Sequence, residues 1–399
     1  MESNVKLKRL NRNKISILLF VFAFILSVTT VKANAEKTLK IGAIGALSGV
    51  ASIWGESTKR GIQLAIDEVN ARGGLKVGGE IYKLEQIIYD DKYTGAGGTT
   101  AVQRLIFEDK ASFIIGPVSS ASALAASLVA NREKVLMLCN GYSPKIIGPE
   151  KPYIFRVTLT SAEFSPFIIK WFANQYPDKR RYVMIPVNDE SGQTIHAMLK
   201  ELYEAEGFKH IGSEFFERGT TDFVPLLTRL LTKDFDFVGG ICGASAGEVG
   251  LVLKQIRQLG FKKIILKAGG GIGMEEIIRV AGNLADDYME YENFDPTDPG
   301  VQDFIKSYNK KYGVGNIQSY TPLFYNACKL LFDTIKKEDT LDTEKLRIAI
   351  EKSDGYVTIF GPIRWSGEKL YGIRHQILTP FYINEAKKGK SAIIKKFVP

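Results

Sequence analysis

Short polar segments follow three apolar segments of the chain, and their residue types suit the binding of a small anion. They are Gly45–Gly49, Pro117–Ser122 and Asn140–Pro144, and none contains an acidic residue. Hydroxyls and free amides at a helix N-terminus are the donors that a carboxylate needs. A serine in such a place can equally cap the following helix. Both interpretations stay open for Ser119, Ser120 and Ser122.

Motifs of cofactor-binding and catalytic proteins are absent from the sequence. Gly42–Gly45 does not match the GxGxxG fingerprint, Gly269–Gly273 has no acidic residue at the expected distance, and no GxxxxGK[ST] or GxSxG occurs. Asp90-Asp91 could form a carboxylate pair for acid/base chemistry, but adjacent residues at a strand end point to opposite sides. The start of a solvated loop is therefore the favoured interpretation. His196, His210 and His375 are scattered and show no metal-ligand spacing. We therefore expect no enzyme activity, no metal and no cofactor.

The elements that must position the polar segments follow a βαβ pattern. Apolar segments alternate with amphipathic helices, in two halves of similar order, Thr38–Arg156 and Arg180–Tyr291. A helical stretch, Gln302–Glu351, and a last apolar strand, Gln376–Ile383, follow. This predicts an α/β fold of two doubly wound parallel-sheet lobes, in which ligands lie beyond the carboxyl ends of the strands. The predicted strands are Leu39–Ile44, Leu84–Tyr89, Phe113–Gly116, Val135–Cys139, Tyr182–Val187, Phe235–Ile241, Lys263–Ala268 and Gln376–Ile383.

The N-terminus has the layout of a secretory signal peptide. Basic residues precede the apolar run Ile15–Val28, and Ala33-Asn34-Ala35 follows as a cleavage site, which predicts that residues 1–35 are removed. An uncleaved anchor is the alternative, but a run of 14 residues is short of the ~20 that a membrane span needs. The sequence has no cysteine near the predicted cleavage site, so a lipid anchor is not supported. The mature chain is thus expected in the periplasm, without a stable membrane anchor.

Removal of this segment takes away six basic residues and one acidic residue and lowers the formal net charge from +9 to +4. Such a small surplus on a long chain gives no reason to expect nucleic acid as a partner. Cys139, Cys242 and Cys328 are too few to form a disulfide framework, although one pair could close in an oxidising compartment. We expect buried thiols and a monomer.

Several segments together resemble a known family. Ile41–Gly49 with Trp54-Gly55, Gly61–Gly74, Tyr89–Asp91 and Ile115–Pro117 are similar to those of the branched-chain amino-acid-binding (leucine/isoleucine/valine-binding) proteins of ABC importers, which have the type I periplasmic binding fold. The resemblance extends from about Thr38 to about Ile383. It implies two lobes joined by three crossovers, near Arg156–Thr160, Glu290–Asn293 and Ile359–Pro362. Lobe 1 would comprise residues 36–157 and 292–358, and lobe 2 residues 158–291 and 359–399.

The resemblance also implies where the first lobe holds its ligand. In the family, a serine after the third strand, and a Thr or Ser with backbone amides after the fourth, grip the ligand carboxylate. By position these are Ser120 and the segment Gly141, Tyr142 and Ser143. Trp54 and Tyr320 match positions where aromatic residues line the side-chain pocket, and core packing is the alternative for each.

The second lobe departs from the family pattern. Ser191 stands where an aromatic residue is common, Gly270 stands where amino-acid binders carry a Glu for the ligand ammonium, and the loop around Ala244 replaces an aromatic pair. Burial of an ammonium group without a counter-charge costs several kcal/mol. An acid from another direction could replace the Glu. The candidates are Asp189, Glu190 and Glu248.

These observations predict a non-enzymatic protein that captures a small ligand with a carboxylate or similar polar head. A non-amino organic or aromatic acid fits better than a branched-chain amino acid. The partner would be an ABC importer permease. The alternative is a periplasmic sensor that signals to a membrane receptor, and an exported enzyme ranks third.

Overall fold

Two β-sheets with interleaved helices form the chain between Thr38 and Pro399. The structure is a computed structural model that describes residues 37–271, 273–315, 317–318 and 320–399. The predicted signal peptide, residues 1–35, lies outside the described residues. The strands are β1 Lys37–Gly45, β2 Leu75–Val77, β3 Glu80–Asp90, β4 Phe113–Ile115, β5 Leu136–Cys139, β6 Ile154–Arg156, β7 Arg181–Met184, β8 Lys209–Ser213, β9 Phe237–Gly240, β10 Ile265–Lys267, β11 Tyr288–Glu292, β12 Val357–Thr358, β13 Gly361–Pro362, β14 Arg364–Ser366, β15 Gln376–Leu378, β16 Phe381–Lys387 and β17 Lys390–Phe397.

The helices alternate with these strands through most of the described chain. They are α1 Ser52–Ala71, α2 Gly95–Gln103, α3 Ser120–Arg132, α4 Ser161–Gln175, α5 Glu190–Ala205, α6 Val224–Leu231, α7 Ala246–Gln258, α8 Met274–Ala281, α9 Gln302–Tyr312, α10 Tyr320–Glu338, α11 Thr343–Glu351 and α12 Glu368–Tyr371. The predicted helical stretch from Gln302 to Glu351 is therefore three helices. Among the helices of the described residues, none has the length and apolar character that a bilayer crossing needs.

The strand order gives each sheet a parallel centre. The first sheet has the order β14-β15-β6-β5-β4-β1-β3-β2 and the second β17-β16-β11-β10-β9-β7-β8. The pairs β1–β4, β4–β5 and β5–β6, and likewise β7–β9, β9–β10 and β10–β11, are parallel. Their residues are buried almost throughout, which explains why these strands are continuously apolar. The predicted α/β class with two doubly wound lobes is confirmed.

One predicted crossover is in the wrong place. The apolar segment Gln376–Ile383 is two strands in different sheets: β15 pairs with β6 in the first sheet, and β16 pairs with β11 in the second. The chain therefore passes from the first sheet to the second at Thr379-Pro380. Strands β14 and β15 lie in the first sheet, although the sequence assigned residues 359–399 to lobe 2. Pro380 has no backbone N–H and ends the pairing of β15. The apolar pattern continues through it, so periodicity gave no sign of the break.

Helices α1 and α10 pack closely and carry two predicted pocket residues. A Cβ added to Gly61 in α1 would lie 2.3 Å from the carbonyl oxygen of Thr321 in α10. Trp54 of α1 and Tyr320 of α10 meet edge to face, with ring centroids 5.8 Å apart. The small residue at Gly61 thus lets the two helices approach far enough for the rings to touch.

A buried ion pair joins two central strands of the second sheet. Lys267 of β10 lies opposite Glu290 of β11, the charged atoms are 3.7 Å apart, and both side chains are 1% exposed. Burial lowers the pKa of Lys267 and raises that of Glu290. Lys267 also donates to the Gly271 carbonyl, and Glu290 accepts the Gly273 amide at 3.0 Å. The pair therefore fixes both sides of the glycine-rich loop after β10.

The three cysteines are buried free thiols, as the sequence predicted. They lie in separate places, Cys139 at the end of β5, Cys242 after β9 and Cys328 within α10. Burial raises the pKa of Cys139 and of Cys242 to about 12. These thiols are therefore protonated at neutral pH.

Replacing Gly61 by Ala should lower the free energy of unfolding by about 3 kcal/mol, because the new methyl group overlaps the α10 backbone. Urea unfolding measures the loss. Gly247→Ala in α7 is the matched control, since an added Cβ there has no heavy atom within 4 Å. This control should be neutral or up to about 1 kcal/mol more stable. Equal stability of the two variants would contradict the close packing.

Lys267→Met or Glu290→Gln should each destabilise the protein by about 3–5 kcal/mol, because each leaves one buried charge without its partner. The double variant should lose clearly less than the sum of the single losses. A double-mutant cycle from urea denaturation measures this coupling. Additive losses would show that the two charges do not stabilise each other.

Candidate functional site

A small cavity lies between the loops at the carboxyl ends of the two sheets. Its space is about 10 Å³, roughly enough for one water molecule. The cavity is therefore closed to a larger solute until the lobes separate. The lining residues are Trp54, Tyr93, Val118, Ser120, Tyr142 and Tyr320 from the first lobe, and Ser191, Gly243, Ala244 and Gly271 from the second.

The structure brings most of the sequence-predicted site residues together at this cavity. Six of the ten line it: Trp54, Ser120, Tyr142, Ser191, Ala244 and Tyr320. The other four belong to the same loops but do not line it: Ser119, Gly141, Ser143 and Gly270. Tyr93, Val118, Gly243 and Gly271 line the cavity without having been predicted.

The two adjacent serines at the start of α3 have different surroundings. The Ser119 hydroxyl caps the helix by accepting the Ser122 amide at 3.4 Å, and it donates to the Tyr93 carbonyl. The Ser120 hydroxyl accepts the amides of Tyr142 and Ser143 at 2.9 and 3.1 Å. Ser119 therefore has the capping geometry, whereas Ser120 gathers donors at the cavity.

The loop after β5 uses its other groups to hold its shape. Gly141 has φ +109°, and an added Cβ would lie 2.5 Å from the Ile146 side chain, so glycine is required there. Its amide donates to the Asn140 side chain. The Ser143 hydroxyl accepts the Lys145 amide and donates to Glu190 of the second lobe at 2.7 Å. Ser143 thus links the two lobes beside the cavity.

Aromatic rings form most of the first-lobe wall. Trp54 contacts Tyr93, with centroids 5.6 Å apart, as well as Tyr320. Burial raises the pKa of Tyr93 and of Tyr142 well above the usual value for a phenol. Both hydroxyls therefore keep their protons at neutral pH. Such a wall offers flat apolar faces together with neutral hydroxyl donors.

The second-lobe wall consists of small residues. A Cβ at Gly271 would lie 2.9 Å from the Tyr320 hydroxyl, so this position has no room for a side chain. Gly270, the predicted residue, instead donates its amide to Ser161 at 2.9 Å and has φ +100°. The prediction missed the lining glycine by one position. A run of three glycines, Gly269–Gly271, gives no side-chain pattern that would fix the alignment.

The three candidate acids of the second lobe all have partners. Asp189 caps α5 by accepting the Gly192 amide and pairs with Arg218 at 2.9 Å. Glu248 forms a capping box with Ser245 at the start of α7 and also pairs with Arg218 at 3.3 Å. Glu190 accepts the Ser143 hydroxyl. None of these acids lines the described cavity.

Arg218 is the charged residue that the sequence did not indicate. It lies in the loop between β8 and α6, donates to the Gly243 carbonyl at 3.0 Å, and stands 5.3 Å from the Tyr93 ring centroid. Its guanidinium therefore neutralises two acids and contacts the first lobe by a cation–π interaction. A lone arginine in an irregular loop carries no periodicity or motif. Within the described part of the chain, no group of three or more His, Cys, Asp or Glu residues could hold a metal.

Known proteins share both the sequence pattern and the fold. Residues 38–391 match the family described as "Periplasmic binding protein". The leucine-, isoleucine-, valine-, threonine- and alanine-binding protein of Pseudomonas aeruginosa is 28% identical over 323 residues, which cover 79% of this chain and 83% of that protein.

Two solved structures have the same fold. A leucine-binding protein from Thermotoga maritima superposes with a TM-score of 0.78 at 23% identity, covering 91% of this chain and 99% of that one. A solute-binding protein of an ABC transporter from R. palustris, in complex with benzoate, superposes with a TM-score of 0.77 at 20% identity, covering 91% and 97%. The chain therefore belongs to the periplasmic binding protein family, among the relatives of the Leu/Ile/Val-binding proteins, and has their type I periplasmic binding fold.

Proposed function

We propose that this protein is the periplasmic solute-binding component of an ABC importer and that its ligand is a small organic acid, with aromatic acids as the favoured class. The observation that carries the proposal is the composition of the cavity. Hydroxyls and four aromatic residues face a second-lobe wall of Ser191, Gly243, Ala244 and Gly271, and no described acidic side chain lines the space.

The first lobe supplies the donors for the acid head. The Ser120 hydroxyl and the amides of Tyr142 and Ser143 meet at one point. A carboxylate that displaced the Ser120 oxygen from these amides would receive two N–H donors, and the released hydroxyl could donate as a third. Backbone amides are held in place by the fold, so little entropy is lost when they bind.

The second lobe lacks the feature that an α-amino acid needs. An ammonium group in a closed cleft requires an anionic partner. Asp189 and Glu248 already pair with Arg218, and Glu190 is directed at Ser143. A ligand whose far end is an uncharged ring or chain avoids this cost. The R. palustris protein of the same fold, in complex with benzoate, supports this class.

Binding would couple to closure of the lobes. The Ser143–Glu190 hydrogen bond and the Tyr93–Arg218 contact join the lobes beside the cavity. Opening breaks both contacts and admits the solute, and closure around the ligand restores them and buries it. The closed form would then deliver the ligand to a membrane permease. No bond of the ligand is made or broken.

A ligand panel on the mature protein tests the proposal. Benzoate, 4-hydroxybenzoate and phenylacetate should raise the melting temperature in a saturable manner, because ligands that bind only the folded state stabilise it. Isothermal titration calorimetry should confirm stoichiometric binding of at least one of them. Leucine, isoleucine and valine serve as the comparison set. Saturable binding of these amino acids with all acids inert would overturn the proposed ligand class.

Ser120→Ala should weaken binding of the best acid from this panel by about 1–3 kcal/mol, because the ligand loses a hydroxyl donor to a charged group. Calorimetric titration measures the change. Ser119→Ala is the matched control: it removes the helix cap one residue away and should cost about 1 kcal/mol of stability with little change in affinity. Identical dissociation constants for Ser120→Ala and the unmodified protein would remove Ser120 from the binding site.

A further inference from the structure

A buried arginine lies directly behind the first-lobe donors. Arg156 ends β6 and is 0% exposed. One guanidinium nitrogen, Nη2, donates to the Ser143 carbonyl at 3.1 Å. Nε and Nη1 are buried and have no hydrogen-bond partner among the described residues. A full positive charge is therefore held within one residue of the amides that meet at Ser120.

The surroundings compensate this charge only indirectly. The guanidinium carbon lies 4.7 Å from the centroid of the Tyr371 ring, and the Tyr371 hydroxyl donates to Glu163 at 2.7 Å. Glu163 in turn accepts the amide and the hydroxyl of Thr160. The acid is thus separated from Arg156 by an aromatic ring and is engaged by three donors. Arg156 forms no ion pair with any residue that the structure describes.

A second buried cation holds the same turn. Lys151 is 6% exposed, donates to the Lys145 carbonyl, and pairs with the exposed Glu150 at 3.2 Å. The Ser143 carbonyl precedes the short helical turn Pro144–Ile146, and the Lys145 carbonyl lies within it. Lys151 therefore has an acidic partner, whereas the buried Arg156 has none among the described residues.

A buried charge acts over several ångströms because the protein interior screens it weakly. It favours an anion near the Tyr142 and Ser143 amides over a neutral group of the same shape. We propose that Arg156 is a positioning residue that shapes the Ser143 turn through its carbonyl and, without touching the ligand, gives the first lobe its preference for an anionic head. This inference rests on the proposed function, in which the first lobe holds the acid head of the ligand.

The test compares an acid with its primary amide, because the amide keeps the shape and loses the charge. Arg156→Gln should weaken binding of benzoate about ten-fold and change binding of benzamide by less than about two-fold. Arg156→Lys keeps the charge and should retain most of the benzoate affinity. Calorimetry, or competition measured by ligand-observed NMR for weak binders, supplies the dissociation constants. Equal losses for benzoate and benzamide, or no loss for either, would overturn the proposal.

Glu163→Gln should change the ratio of benzoate to benzamide affinity in the direction opposite to Arg156→Gln. It removes the negative charge that is linked to Arg156 through the Tyr371 ring. The glutamine oxygen still accepts from Thr160, and its NH2 group can donate to the Tyr371 hydroxyl, so the ratio of benzoate to benzamide affinity should rise. The Glu163→Gln measurement tests the proposed role of Arg156 even if Arg156→Gln does not fold. An unchanged or lower ratio in Glu163→Gln would overturn the proposal. Arg257→Gln is the stability control, because Arg257 is a second-lobe guanidinium that also donates to backbone carbonyls, those of Phe261, Lys263 and Asp286. It should lower the melting temperature and leave the ratio unchanged.

Leucine and leucinamide separate this inference from the proposed ligand class. If the protein binds leucine and not benzoate, the aromatic-acid proposal fails. Arg156→Gln should then weaken leucine about ten-fold and leucinamide far less, because only leucine carries the carboxylate. If the unmodified protein binds neither acid, both proposals fail.

Discussion

The hydroxyl of Ser120 joins two loops that leave neighbouring parallel strands, and the first-lobe side of the cavity depends on this contact. Strands β4 and β5 pair in register, Ile115 opposite Leu138, so the segments that follow them emerge side by side. Ser120 begins the helix after β4, and its oxygen collects two amides from the loop after β5. A geometry built from backbone groups is fixed by the sheet beneath it, and side-chain flexibility affects it little.

The second lobe places charged groups near the cavity, and these groups are paired with opposite charges. Arg218 faces two acids, and Lys267 faces one within the sheet. Each pair also holds backbone: Arg218 the Gly243 carbonyl, Lys267 the Gly271 carbonyl. The glycines that line the cavity are thus supported by ion pairs placed behind them. The second-lobe residues that line the cavity are small and uncharged.

Much of this organisation could be predicted because it follows from patterns that repeat along the chain. Alternating strands and helices gave the two lobes, and the polar segments after the strands led to Ser120 and Tyr142. Ser191 followed from the family resemblance. The position of Arg218 could not be predicted, because a single arginine in an irregular loop acquires its role only through contacts distant in sequence. The shift from Gly270 to Gly271 and the lobe change at Thr379-Pro380 were missed for a related reason. Neither a run of glycines nor an uninterrupted apolar segment marks where the backbone turns.

The chemistry of the three thiols has a practical consequence for measuring the motion of the lobes. Cys139, Cys242 and Cys328 are buried, and burial raises their pKa, so almost none of their sulfur is present as the reactive thiolate. If one cysteine were introduced on an exposed helix of each lobe, these two would be the cysteines open to a maleimide dye in the native protein. The pair of dyes would report the distance between the lobes in single molecules, with every natural cysteine left in place.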